Sequence, residues 1–266
     1  MLLFLTLPVF AQSIDIDAIN AVYPLNRVEA GTHTIGCTPG QGEDCDIKDA
    51  QAHDVILTRA YLVGETEVTQ ALYQEVMGSN PSEFASCGPS CPVERVSWFD
   101  TVTFANKLSE RLGLPRCYEI NGEEVTMPDG VHCGGLRLPT EAEWEVAARG
   151  GQDVRFSGSD RLRDVGWCGE GSPGTTHPVG QRNPNGYGLY DMSGNVWERV
   201  WDSAEKYPSD PVEDPAVSSS RNRIFRGGSW NSVCNDAIVA DRNSSDAGYR
   251  LNVVGFRLVL SVPPSG

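Results

Sequence analysis

Positive charge is scarce in this chain. It carries 36 Asp and Glu against 21 Lys and Arg, for a formal net charge of −15. Nucleic acids and anionic bilayers are gripped by clustered Lys and Arg, so DNA, RNA and anionic membrane are not expected partners. An acidic surface suits solubility and divalent cations. Long apolar runs are also lacking. No stretch approaches the roughly 20 residues that a spanning helix needs. Histidine is sparse: His33, His53, His132 and His177 lie far apart, with no HxxxH or HxH pair to hold a metal. No P-loop, G-x-S-x-G or dinucleotide fingerprint is present. No repeat and no Pro/Ser linker divides the 266 residues, which read as one domain with room for a substantial core.

Cysteine, by contrast, is plentiful. The eight cysteines suggest three local pairs, Cys37 with Cys45, Cys87 with Cys91 and Cys117 with Cys133, each bracketing a loop of Gly, Pro and acids. Cys168 and Cys234 remain for a long-range bridge, although connectivity does not follow from sequence alone. The Cys87–Cys91 pair has three intervening residues and no second pair at metal-ligand spacing. It reads as a structural staple rather than a redox or zinc motif. Disulfides imply an oxidising compartment. The opening MLLFLTLPVFA resembles a secretory signal cleaved after Ala11, without the usual positive start. The expected divisions are therefore a signal over 1–11, a leader over 12–26, the domain over 27–262 and a tail over 263–266. An exported protein, periplasmic or extracellular, is expected.

Local signals place three helices. One runs from Thr69 to Gly78, with Leu72 and Val76 on one face and Tyr73 and Met77 on another. A second starts at the Ser97 N-cap and ends near Leu112, before Gly113-Leu114-Pro115; Phe104, Leu108 and Leu112 form its buried stripe. The third starts at a capping box, Thr140 with Glu143, and ends at Gly150-Gly151, with Trp144, Ala147 and Ala148 facing the core. Short strands are expected at Val55-Ile56-Leu57, Ile224-Phe225 and 256–262. After Gly151 no long helical period survives.

The run Asn185-Gly-Tyr-Gly-Leu-Tyr-Asp191-Met-Ser-Gly194-Asn-Val196-Trp-Glu198 concentrates turn formers, aromatics and two acids. On composition alone it reads as a glycine-rich surface loop with two solvated carboxylates. It has ordered companions: Gly64–Thr69, Pro92–Trp98, Arg137–Glu145, Arg226-Gly-Gly-Ser-Trp230 and Gly255-Phe-Arg-Leu258. Together these resemble the sulfatase-modifying-factor, or formylglycine-generating-enzyme, family over nearly the whole chain after residue 27. The resemblance implies an α+β, C-type-lectin-like fold with little regular structure and long ordered loops. One fold hosts many functions, so activity has to be read from the site.

The resemblance implies a structural calcium ion at the run, held by the side chains of Asp191 and Glu198 and the carbonyls of Gly194 and Val196. Hard oxygen ligands, some from the main chain, suit Ca²⁺. The family's enzymes also carry two cysteines after the Gly-Gly-Ser-aromatic motif, whose thiolates hold Cu(I), a sulfur-seeking ion. Here those positions fall on Ser232 and Ala237, so no copper is expected. Cys234 is nearby but out of register.

Residues 231–254 alternate small polar residues with Tyr249, Arg242 and Arg250. Binding loops favour Asn, Ser, Asp and Tyr, which adapt at low entropic cost. The tract resembles the variable region of lectin-fold proteins diversified by retroelements; the plainer reading, an ordinary divergent loop, is the one the residues favour. The expected ligand face comprises Trp230, Asn231, Ser232, Asn235, Asp236, Asp241, Arg242, Asn243, Tyr249 and Asn252. The expected function is a non-catalytic module that binds a protein, peptide or small ligand on a calcium-clamped scaffold. The alternative is a metal-dependent oxidase of the same family acting on a protein or peptide. Several such relatives hold iron in a separate helical domain, for which this chain has no room.

Overall fold

The computed structural model describes residues 14–43, 45, 51–169, 172, 174–208 and 210–262. The signal assigned to 1–11 and the tail at 263–266 lie outside the described residues. Among the described residues are the α-helices α1 (Ile16–Asn20), α2 (Gln70–Met77), α3 (Trp98–Arg111), α4 (Glu141–Arg149) and α5 (Leu162–Val165). The strands are β1 (Leu25–Val28), β2 (Gly31–Ile35), β3 (His53–Leu57), β4 (Tyr61–Gly64), β5 (Glu119–Asn121), β6 (Glu124–Thr126), β7 (Leu136–Arg137), β8 (Trp197–Ser203), β9 (Val212–Glu213), β10 (Asn222–Arg226), β11 (Arg242–Asp246), β12 (Val254–Phe256) and β13 (Val259–Ser261). They form sheets ordered β1-β4-β13-β7, β11-β10-β8-β12 and β2-β3-β9, plus the β5-β6 hairpin. This is the expected α+β architecture.

The β1-β4-β13-β7 sheet separates two apolar cores. Side chains alternate across a strand. Leu62 and Leu260 accordingly enter the core built on α2 and α3, whereas Val63 and Val259 enter the core built on α4. In the first, Tyr73 stacks on Phe104, and Phe256 packs edge-on to Phe104. The three helices begin and end where their caps place them. Thr69 accepts from Leu72 N–H; Gly78 closes α2 in the left-handed region; Ser97 with Asp100, and Thr140 with Glu143, form capping boxes.

Two expectations about boundaries change. The stretch assigned to a leader belongs to the domain from α1 onward. Ile19 and Tyr23 are buried, β1 pairs with β4, and the Tyr23 hydroxyl bridges Thr66 O and Leu258 N–H. The stretch carries no recognisable motif, and its apolar residues, among them Ile14, Ile16, Ile19, Val22, Tyr23 and Leu25, did not by themselves announce a place in the core. The strand expected over 256–262 is two strands, β12 and β13, broken at Arg257-Leu258 because they serve different sheets.

The cysteines pair as expected: Cys37–Cys45, Cys87–Cys91, Cys117–Cys133 and Cys168–Cys234, leaving no free thiol.

Helix α4 departs most from the usual amphipathic pattern. All nine of its residues are buried, including Glu141, Glu143, Glu145 and Arg149. Each charge has a partner. Arg137 binds Glu143 at 2.6 Å, Arg226 binds Glu141 at 2.6 Å and Glu145 at 2.7 Å, and Arg149 binds Glu145 at 2.7 Å. Buried charge is tolerated only when paired and hydrogen-bonded, so this ladder keys α4 to β7 and β10.

Candidate functional site

The glycine-rich run turns from surface to interior: Gly186 is exposed and Tyr187, Gly188 and Tyr190 are half-buried, whereas residues 191–198, both acids included, are buried. Asn185 donates to Ala147 O at 2.8 Å and to Ser157 Oγ at 2.9 Å, and its Oδ1 accepts the N–H groups of Tyr187 and Leu189. Gly194 adopts φ +98°, and a Cβ there would lie 2.0 Å from Trp167 O. Only glycine fits such an approach. Asp191 and Asn195 adopt φ of 55° and 61°. This left-handed region is one that Asp and Asn enter more readily than other residues with a side chain. Asn195 exchanges hydrogen bonds with both backbone groups of His177, and its carbonyl accepts Trp230 N–H. His177 itself stacks on Trp167 and lies 2.9 Å from Ser172 Oγ, a satisfied loop histidine.

Around Asp191 negative charge collects without full compensation. One Asp191 oxygen accepts Gly180 N–H at 2.7 Å; the other is buried with no partner. Both carboxylate oxygens of Glu67 are also buried and unpartnered. Burial, followed by the charge of Asp191, pushes Glu67 well above the usual carboxylate range. Burial likewise pushes Asp191 up to about 6. Orphaned buried oxygens are rare and point to a missing ion or water.

Both oxygens of Glu198, an expected calcium ligand, are engaged by protein groups. Its two oxygens are held by Arg257, at 2.6 Å and 2.7 Å, and one of them also accepts the Trp144 indole N–H at 2.7 Å. Arg257 extends the clamp to Gly64 O at 2.9 Å and Tyr190 O at 2.8 Å, with no part of its side chain exposed. The pair joins β8, the end of β4 and the glycine-rich run. Glu67, which feels the charge of Asp191, has both of its oxygens left without partners. The sequence reading passed over Glu67 because it sits 124 positions before Asp191, inside a motif quoted only as a family marker. Among the described residues no three His, Cys, Asp or Glu side chains converge as a metal cage. A hard cation here would rest on Glu67 and Asp191, completed by main-chain carbonyls such as those of Gly194 and Val196. The orphaned oxygens fit such an ion.

Ser232 and Ala237, the positions to which the resemblance assigned the copper cysteines, sit in ordinary packed surroundings. Ser232 Oγ accepts Ser229 N–H and lies 3.2 Å from Ser229 Oγ, and Ala237 is fully buried. Cys234 is bonded to Cys168.

The 231–254 tract divides into exposed and interior parts. Asn231, Asn235, Asn243 and Tyr249 are exposed, and Ser232, Asp236, Asp241 and Asn252 are half-buried. Burial pushes Asp241 up to about 6. Residues 237–240 are interior. Trp230 and Arg242 do not belong to the contact surface. Trp230 is buried edge-on to Phe84 and donates to Asn252 O. The Arg242 side chain is 7% exposed, paired with Glu141 and stacked over Tyr207. Its polar surroundings in sequence gave no sign of a buried partner on α4. Neighbours that sequence did not assign complete the face: Val233, 69% exposed, and the Glu83–Arg95 pair, with Asn252 bonded to Glu83. Two cavities, of about 830 Å³ and 490 Å³, are lined by no residue of this tract.

Residues 20–262 match the sulfatase-modifying factor enzyme 1-like domain. The chain belongs to that family. It is 34% identical to a protein named chaperone protein LppX from Paenibacillus barcinonensis, over 76% of this chain and 80% of that one. It is 31% identical to a formylglycine-generating enzyme of Mycobacterium tuberculosis, over 90% and 92%. Among solved structures, Treponema denticola variable protein 1 superposes with a TM-score of 0.80 at 36% identity, covering 89% of this chain and 94% of that one. No helix of the described residues is long and apolar enough to cross a membrane.

Proposed function

We propose that this protein is an exported, non-catalytic binding module whose ligand is a protein, peptide or small molecule. The observation that carries the reading is the sulfur inventory. All eight cysteines are consumed in disulfides, which leaves no thiol to hold copper; by the resemblance, Ser232 and Ala237 stand where the family's enzymes hold it. Export is supported by four disulfides, which persist in oxidising compartments. Binding is supported by relatives named as a chaperone and as a variable protein. The contact surface is the exposed part of 231–254, with Asn231, Asn235, Asn243 and Tyr249 outermost. The second reading, a metal-dependent oxidase, draws on the Mycobacterium relative. Mass spectrometry of a cysteine-containing sulfatase peptide incubated with the protein, copper and oxygen separates the two. The peptide cysteine is expected to remain unconverted. Formylglycine in the peptide would overturn the binding reading.

Calcium clamps the scaffold in this account through Glu67, Asp191 and adjacent carbonyls. Its contribution is mass action on the folded state, about 2.7 kcal/mol at a hundred times the dissociation constant. Chelation is expected to lower the melting temperature of the native protein. Glu67→Gln and Asp191→Asn are expected to melt at the same temperature with and without calcium. A calcium response retained in both variants would place the ion elsewhere.

A further inference from the structure

We infer that the cleft beside β2 is a binding site for an uncharged saccharide, separate from the 231–254 face. The cleft holds about 490 Å³ and is lined by Thr32, His33, Thr34, Val146, Gln152 and Tyr187 among others. That volume lies within the range of small-ligand pockets, about 300–1,000 Å³.

Its first asset is an open strand edge. In the β2–β3 pair, Thr32 faces Ile56 and Thr34 faces Asp54. Ile56 O accepts Asp214 N–H from beyond β9, so the polar groups of Ile56 point away from β2. Opposed residues of a non-hydrogen-bonded pair turn their backbone groups outward on both strands. The N–H and C=O of Thr32, and by alternation those of Thr34, therefore face the free edge, where no group of the described residues is hydrogen-bonded to them. A donor and an acceptor recur two residues apart along the cleft wall.

The second asset is neutral polar side chains without partners. Among the described residues the exposed Thr32 hydroxyl and Gln152 amide and the half-buried Tyr187 hydroxyl have no hydrogen-bond partner, and His33 Nε2 is buried in the wall without one. Desolvation holds His33 below its ordinary pKa, so its ring is neutral at pH 7. The charged residues of the wall are already satisfied by each other. Arg149 is bound to Glu145, Thr38, Asp153 and Gly36 O, which also fixes the wall in place. A cleft with paired charges and unpaired neutral donors and acceptors rewards hydroxyl groups and offers nothing to an ionic ligand. Tyr187 adds an aromatic surface of the kind that covers a sugar ring.

Saturation-transfer NMR with maltotriose, cellotriose and chitotriose as probes, and sialyllactose as an acidic comparison, tests the site. At least one neutral trisaccharide is expected to receive saturation. The exposed substitution Thr32→Arg is expected to abolish it by filling the cleft, without disturbing the core. Tyr187→Phe is expected to weaken binding about five- to tenfold, the loss of one hydrogen bond. No transfer to any neutral trisaccharide, transfer undiminished in Thr32→Arg, or transfer to sialyllactose alone would overturn the assignment. None of these outcomes touches residues 231–254, so failure here leaves the proposed function standing.

Discussion

Arg257→Ala is expected to destabilise the fold by about 3–5 kcal/mol, the cost of breaking a buried ion pair from one side. Arg257 and Glu198 are 0% and 1% exposed. Removing the guanidinium strands Glu198 beside Glu67 and Asp191, two acids already short of compensation. It also frees the carbonyls of Gly64 and Tyr190. Arg257→Lys is expected to restore only part of the loss, because an ammonium cannot reproduce the planar fork that grips both oxygens of Glu198. Urea unfolding measures this as a lower midpoint at unchanged slope. A domain of this kind has about 5–15 kcal/mol in total, so the alanine variant should sit near the edge of folding. A loss under about 1 kcal/mol, the worth of an exposed pair, would show that the clamp is not central.

Removing the Cys168–Cys234 bridge with paired serines is expected to cost about 4 kcal/mol. The bridge closes a separation of 66 residues, and the chain-entropy model ties the effect to loop length. The same substitution at Cys87 and Cys91, four residues apart, is expected to cost about half as much. Parallel thermal melts of the two double variants supply the ranking. Equal losses would mean that native packing around Cys168 and Cys234, rather than chain entropy, sets the effect. The long bridge also joins the segment at Trp167 to the 231–254 tract, where Gly169 N–H donates to Ser232 O. Its loss should loosen that face before the core.

Much of the fold was legible because it is written in local chemistry. Thr69, Ser97 and Thr140 announced their helices as hydroxyl caps, and Gly78 and Gly150 ended two of them in the left-handed region. Cysteine spacing suggested the disulfide pairs, since three of the four close short loops. What escaped depends on long-range pairing. Strand β8 reads as polar and charged, Trp-Glu-Arg-Val-Trp-Asp-Ser, yet every residue in it is buried. Glu198 is paired with Arg257, Arg199 donates to Ser245 and Tyr249 O, and Asp202 accepts the N–H groups of Glu141 and Val217, all distant in sequence, and no local pattern records that. Arg242 looked like a surface residue for the same reason, its partner Glu141 lying 101 positions away. Glu198 shows the same thing at the candidate site. A carboxylate two positions past Val196 is easy to nominate, but Arg257, at the break between β12 and β13, grips both of its oxygens.

Metal content gives the most direct test. Protein stripped of ions and refilled from a mixture of calcium, copper and iron is analysed for all three elements. The account predicts about one calcium per chain with copper and iron far below stoichiometric. Copper bound one to one would contradict it.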